Sequence, residues 1–140
     1  MKERGAIVLV ACYELGHQPL AAAWPAAFLE GRGYAPAVMD VSVEPFDAGK
    51  VAAARLVAIS VPMHTALRLG VGVAEQVHAL NPSCHVCFYG LYAMLNADHL
   101  LATCADSVLG GEVEPLLVEL MEGLERGEPT RRPEIGRAHV

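Results

Sequence analysis

The side chains and turns that could do chemistry gather in four short segments: Glu14–Pro19 (ELGHQP), Ser60–Thr65 (SVPMHT), Tyr89–Tyr92 (YGLY) and Gly110–Glu112 (GGE). They offer two imidazoles, His17 and His64, either of which could ligate a metal through a neutral ring nitrogen. Ser60 adds a hydroxyl able to donate or accept one hydrogen bond, and Glu112 adds a carboxylate. Gly90, Gly110 and Gly111 have no Cβ, so backbone there could come close to a large ligand. Met63, Leu91, Tyr92 and Met94 add soft apolar surface. Neither a nucleophile–base pair nor a carboxylate pair stands out. The set suits binding of a wide, flat molecule with a polar fringe better than it suits catalysis of its own.

Each segment follows an apolar run. Gly5–Tyr13 (GAIVLVACY) and Arg55–Val61 (RLVAISV) read as strands buried on both faces, as near-continuous apolar sequence requires. His85–Tyr89 and Asp106–Leu109 read as a fourth and a fifth strand. Tyr34–Val43, interrupted by Pro36, reads as a weaker edge strand. Helical patterns alternate with these strands. Leu20–Arg32 is Ala-rich, with Leu20, Trp24, Ala27 and Phe28 on one face as expected core, and Pro25 predicts a late start or a bend. Pro45–Ala54 predicts a short crossover, Leu67–Leu80 a helix with 3.6-residue periodicity, Asn96–Thr103 a short helix capped by Asn96, and Glu112–Arg126 a final helix. Strict β-α alternation implies a parallel sheet with right-handed crossovers. The expected fold is α/β, a flavodoxin-like (Rossmann-type) three-layer sandwich with five parallel strands in the order 2-1-3-4-5. In such a sheet ligands sit outside the carboxyl ends of the strands, where all four segments should converge.

Several occupants of this fold are excluded by residue type. A dinucleotide site needs G-x-G-x-x-G after the first strand; the chain has Glu14-Leu15-Gly16-His17-Gln18-Pro19 there. A P-loop's Gly-rich run ending in Lys-Ser/Thr is absent, and the loop has no hydroxyl to hold a flavin phosphate. A phosphoacceptor domain needs an acidic pair, an Asp and a Lys at the ends of the first, third and fifth strands; Cys12 and Tyr13, Ser60 and Gly110 occupy those places.

Composition narrows the class further. The 140 residues suit one domain, with Met1–Gly127 (1–127) folded and a polar tail or linker over 128–140, where Pro129, Arg131, Arg132 and Pro133 cluster. A net charge of −6 without a Lys/Arg stripe argues against nucleic acid as a partner. The apolar runs are too short to span a membrane, and no leader peptide is visible, so a cytoplasmic location is expected. Hydrophobic content of 54% predicts a fully covered sheet or a surface hidden by a partner or cofactor. Cys84 and Cys87 have C-x-x-C spacing, but residues three apart in a strand point to opposite faces, so structural thiols are expected rather than a metal pair.

Taken in order, the motifs resemble the cobalamin-binding domain found N-terminal in cobalamin-dependent radical SAM proteins. The resemblance covers roughly Gly5 to Gly127. Pro19-Leu20 and the Ala-rich helix match the start of that family's first helix, VAIS (Val57–Ser60) its third strand, and YGLY (Tyr89–Tyr92) stands at its Gly-Gly turn. ADSVLGGEVE (Ala105–Glu114) resembles its D-x-V-x-x-G-E-x-E segment. The resemblance implies bound cobalamin, with the nucleotide tail running into the domain past Ser60, Gly90 and Gly110 and the corrin over the strand ends near His17 and His64. The cofactor-binding residues it implies are His17, Gln18, Pro19, Ser60, Val61, Pro62, Met63, His64, Gly90, Leu91, Tyr92, Gly110, Gly111 and Glu112. The chain departs from other cobalamin domains in lacking D-x-H-x-x-G, the motif whose His ligates cobalt. It also lacks the C-x-x-x-C-x-x-C of an iron–sulfur cluster. The implied role is a cofactor-binding module serving a radical SAM protein or domain. The alternative is a cobalamin-dependent sensor or scaffold acting through self-association as a homodimer.

Two readings stand for His64: contact with the corrin or ligation of its cobalt, and capping of the helix that begins near Leu67. His17 could ligate or could fix the turn before Pro19. His78 is expected on an exposed helix side, and His85, His99 and His139 carry no expected role. For Glu112 and Glu114, binding of ligand amides competes with the general preference for acids at a helix N-terminus.

Overall fold

A computed structural model describes residues 2–12 and 20–127. The predicted Glu14–Pro19 loop, with His17, Gln18 and Pro19, and the predicted 128–140 tail lie outside the described residues. The elements alternate as β1 (Ile7–Ala11), α1 (Leu20–Gly31), β2 (Ala37–Asp40), α2 (Ala48–Ala52), β3 (Leu56–Ser60), α3 (His64–Leu80), β4 (His85–Tyr89), α4 (Leu91–Leu95), α5 (Ala97–Thr103), β5 (Ser107–Leu109) and α6 (Val113–Glu125). All pairings are parallel and the strand order is β2-β1-β3-β4-β5, the flavodoxin-like arrangement expected from the sequence. No helix among the described residues is long and apolar enough to cross a membrane.

The register aligns the carboxyl ends of the strands. Ala11 pairs with Asp40 and with Ser60, Ser60 with Tyr89, and Tyr89 with Leu109. The segments after β3, β4 and β5 therefore leave the sheet side by side. Alternation along each strand divides the core in two. Val8, Val10, Val57, Ile59, Val86 and Phe88 pack with α3 residues such as Val73 and Val77. Ile7, Leu9, Leu56, Ala58, Cys87 and Leu109 pack with Leu29 of α1 and Leu117 of α6. Cys84 and Cys87 fall in different halves, and burial pushes both thiols up to about 12.

Several boundaries differ from expectation. β2 is four residues long: Pro36 precedes it, and at its other end the Asp40 carboxylate accepts from the backbone and the hydroxyl of Ser42, turning the chain. α1 runs through Pro25 from Leu20. α3 starts at His64, three residues before Leu67, because extended Met63 takes the N-cap position and its carbonyl already accepts from the Ala66 amide. His64 is thus the first residue of the helix rather than its cap. α3 ends at Asn81, whose side-chain amide donates to the carbonyls of Val51, Ala52 and Ala54 and so fastens the end of α2. Leu91–Leu95, to which the sequence assigned no element, is a helical turn; Asn96 holds the N-cap position of α5 as expected, but its side chain donates to the Tyr92 carbonyl instead of making a capping bond. Two histidines have structural partners that the sequence did not suggest. His78 Nε2 lies 2.8 Å from the Cys104 carbonyl, and buried His85 Nε2 lies 2.9 Å from Ser107 Oγ.

Candidate functional site

The carboxyl edge of the sheet carries a cleft of about 260 Å³ between α1 and α6. Its floor is formed by the ends of two central strands, Ser60 with Pro62 and Tyr89 with Gly90. Its walls are Trp24 and Pro25 of α1, Leu91 of α4, and Gly111, Val113 and Glu114 at the start of α6. Ser60 is buried, while Trp24 and Leu91 stand 68% and 70% exposed at the rim. The cleft is mostly apolar, with the Ser60 hydroxyl on its floor and the Glu114 carboxylate on its wall, the balance common in small-molecule sites.

The backbone that shapes this cleft is tightly constrained at one glycine. Gly90 has φ +108 and ψ 165, and a Cβ placed there would stand 2.7 Å from the Val61 carbonyl oxygen. Gly90 is needed because two strand exits touch: Val61 N–H donates to Tyr89 O (2.7 Å) and Tyr92 N–H donates to Val61 O (3.1 Å). Close approach at Gly90 is thus between two parts of this chain. Gly110 behaves similarly, since a Cβ there would stand 2.6 Å from Met94 Cγ. Of the expected glycines only Gly111 combines exposure with a positive φ, +70, and a place on the cleft wall.

The structure divides the expected site residues. Ser60, Pro62, Gly90, Leu91 and Gly111 surround the cleft. Val61 is buried beneath it, Met63 packs partly into the core, and Glu112 is exposed at the N-cap of α6 without lining the cleft. His64 lies outside the cleft: it is exposed, with its ring edge-on to that of Tyr92 at 5.3 Å between centroids. There it lines a second, wider groove of about 830 Å³ beside α3.

Trp24, Pro25 and Val113 join the site without having been expected there, while Tyr89, from the third segment, and Glu114, for which ligand binding was one of two readings, do line it. Trp24 shares helical spacing with Phe28 and so looks like core. The spacing gave no sign that Trp24 stays exposed. Phe28 does pack partly against the core, with the Arg32 guanidinium 4.8 Å from its ring centre.

The thiol at the exit of β1 is not activated as a nucleophile. Cys12, at the exit of β1, has its thiol pushed up to about 12 by burial and by the charge of Asp40, so it is held as the unreactive thiol. Among the described residues no cluster of three or more His, Cys, Asp or Glu side chains could hold a metal ion. No family model, curated protein or solved structure matches the chain.

Proposed function

We propose that this domain is a corrinoid-binding module, holding cobalamin for a radical SAM protein or domain that performs the reaction. The observation that carries the reading is the cleft at the carboxyl edge, with buried Ser60 at its floor and Trp24 and Leu91 at its rim. Its volume of about 260 Å³ suits one fused aromatic ring system and excludes a whole corrin. The fit is therefore to the nucleotide tail of the cofactor.

In this reading Trp24, Pro25 and Val113 give the tail's flat base apolar contact, and Ser60 and Glu114 offer it hydrogen bonds. Gly111 leaves a wall without a side chain. Bound cobalamin supplies a cobalt centre able to carry a methyl group. His64 lies on the far side of the strand exits from the cleft-lining residues, so a role for it as a metal ligand is a separate claim. It predicts that His64→Ala shifts the visible spectrum of the bound corrin.

The test is direct. Purified protein is mixed with hydroxocobalamin and desalted, and the protein fraction is read for corrin absorbance. The reading expects absorbance to travel with the protein, and to be lost in Gly111→Trp, which would fill the cleft. Elution of the corrin entirely in the small-molecule fraction would sink it.

A further inference from the structure

Helix α3 covers the sheet with Ala66, Gly70, Val73, Ala74 and Val77 and turns a second, continuous face outward. That face carries Thr65, Arg68, Leu69, Glu75, Gln76, Ala79 and Leu80, all exposed, with Gly72 half-exposed at its centre. Leu69 and Leu80 are 43% and 49% exposed. The groove of about 830 Å³ lies along this helix, past Arg68, Gly72 and Glu75, and reaches His99 of α5.

Two features of the face are symmetric about its midpoint. Arg68 and Glu75 are seven residues apart, two helical turns, so they share a face with opposite charges roughly 10 Å apart along the axis. Gly72 stands between them, and no heavy atom lies within 4 Å of where its Cβ would be. Rotating such a helix by a half-turn about an axis through its centre brings each Arg68 position over a Glu75 position. A twofold interface has to be self-complementary in this way, with residue i meeting j and j meeting i. Shape follows the same rule, because the patch holds both a projection, Leu69, and a depression, the groove beside it. At the crossing point Gly72 removes the side chain that would otherwise keep the helix axes apart.

We propose that two copies of this chain associate through the outer face of α3, antiparallel about a twofold axis near Gly72, with Arg68 of each copy facing Glu75 of the other. Leu69 of each copy enters the groove of the other, and Leu80 lies against the first turn of the opposite helix. The face is one helix long, about 25 Å, at the small end of specific interfaces. The dimer therefore dissociates on dilution through the micromolar range. The inference stands apart from the corrinoid reading, because α3's outer face shares no residue with the cleft.

Sedimentation velocity of the full chain, from about 5 to about 500 μM, tests this. The expected result is a concentration-dependent monomer–dimer equilibrium. Arg68→Glu and Glu75→Arg each place like charges together twice per dimer and should weaken it about tenfold or more. Both side chains are exposed, and an unchanged far-ultraviolet circular dichroism spectrum checks that each variant folds. The double variant R68E/E75R, and an equimolar mixture of the two single variants, should both regain dimerisation, because opposite charges again face each other. The proposal is overturned by a wild-type chain that stays monomeric throughout, by single variants that dimerise as well as wild type, or by a mixture that remains monomeric.

Discussion

Replacing Gly90 by Ala should be among the most damaging single-methyl changes in this domain. The backbone at Gly90, φ +108 and ψ 165, lies in a region occupied almost only by glycine, and holding another residue there costs of order 1–3 kcal/mol. The added methyl would also stand 2.7 Å from Val61 O and 2.9 Å from Val61 C, and these are backbone atoms with little room to move. Shifting them strains the Val61 N–H bond to Tyr89 O and the Tyr92 N–H bond to Val61 O, each with a net value of about 0.5–1.5 kcal/mol. The combined loss is about 3 kcal/mol, a large part of the roughly 5–15 kcal/mol that holds a domain together. With a urea m-value of about 1–3 kcal/mol/M, the unfolding midpoint should fall by roughly 1–3 M. Equilibrium urea unfolding followed by circular dichroism measures this. A midpoint within about 0.3 M of wild type would refute the claim that Gly90 is fixed by the crossing of the two strand exits.

Three further outcomes follow from the packing. Gly70 and Gly72 lie on one helix but should respond to Ala with opposite signs. At Gly72 the methyl meets open space, so Gly72→Ala, measured in the R68E background, should gain about 1 kcal/mol from helix propensity. At Gly70 it would stand 3.1 Å from Ile59 Cγ2 and 3.3 Å from Phe88 Cε2, both buried on strands. Overpacking of about 1–3 kcal/mol there outweighs the propensity gain, and equal thermal shifts for the two variants would contradict this. The thiols set an alkaline limit: Cys12, Cys84 and Cys87 are raised from 9.0 to about 12 in the folded chain. Their contribution is whole below pH 9 and is lost as pH rises toward 12, because the unfolded chain ionises first. At pH 10 the loss is about 1.4 kcal/mol per thiol, and unfolding midpoints that stay level from pH 8 to pH 10 would count against it.

The parallel sheet and its order were legible because buried runs such as IVLVA and LVAIS need cover on both faces, and helical patterns separate them. His85–Tyr89 was placed to the residue. Placement failed where tertiary context overrode local pattern. Leu91–Leu95 forms a helical turn because Gly90 redirects the chain against Val61, a contact invisible in the sequence. Trp24 has the spacing of core but sits at the rim of the cleft. His64 and Ser60 lie five positions from each other in one segment, counting inclusively, yet they face different cavities once α3 begins at His64. The convergence of segments on the strand ends could be read from topology alone; which side of the sheet each side chain serves could not.

Trp24 is the chain's one tryptophan and lines the cleft, so its fluorescence reports on the proposed site. Titration of the protein with hydroxocobalamin, against cobinamide, which lacks the nucleotide tail, is the most direct test of the corrinoid reading. The expected result is saturable quenching of Trp24 by cobalamin with one equivalent bound, and markedly weaker binding of cobinamide. Quenching that never saturates, and that matches the attenuation of free N-acetyltryptophanamide under the same additions, would contradict it.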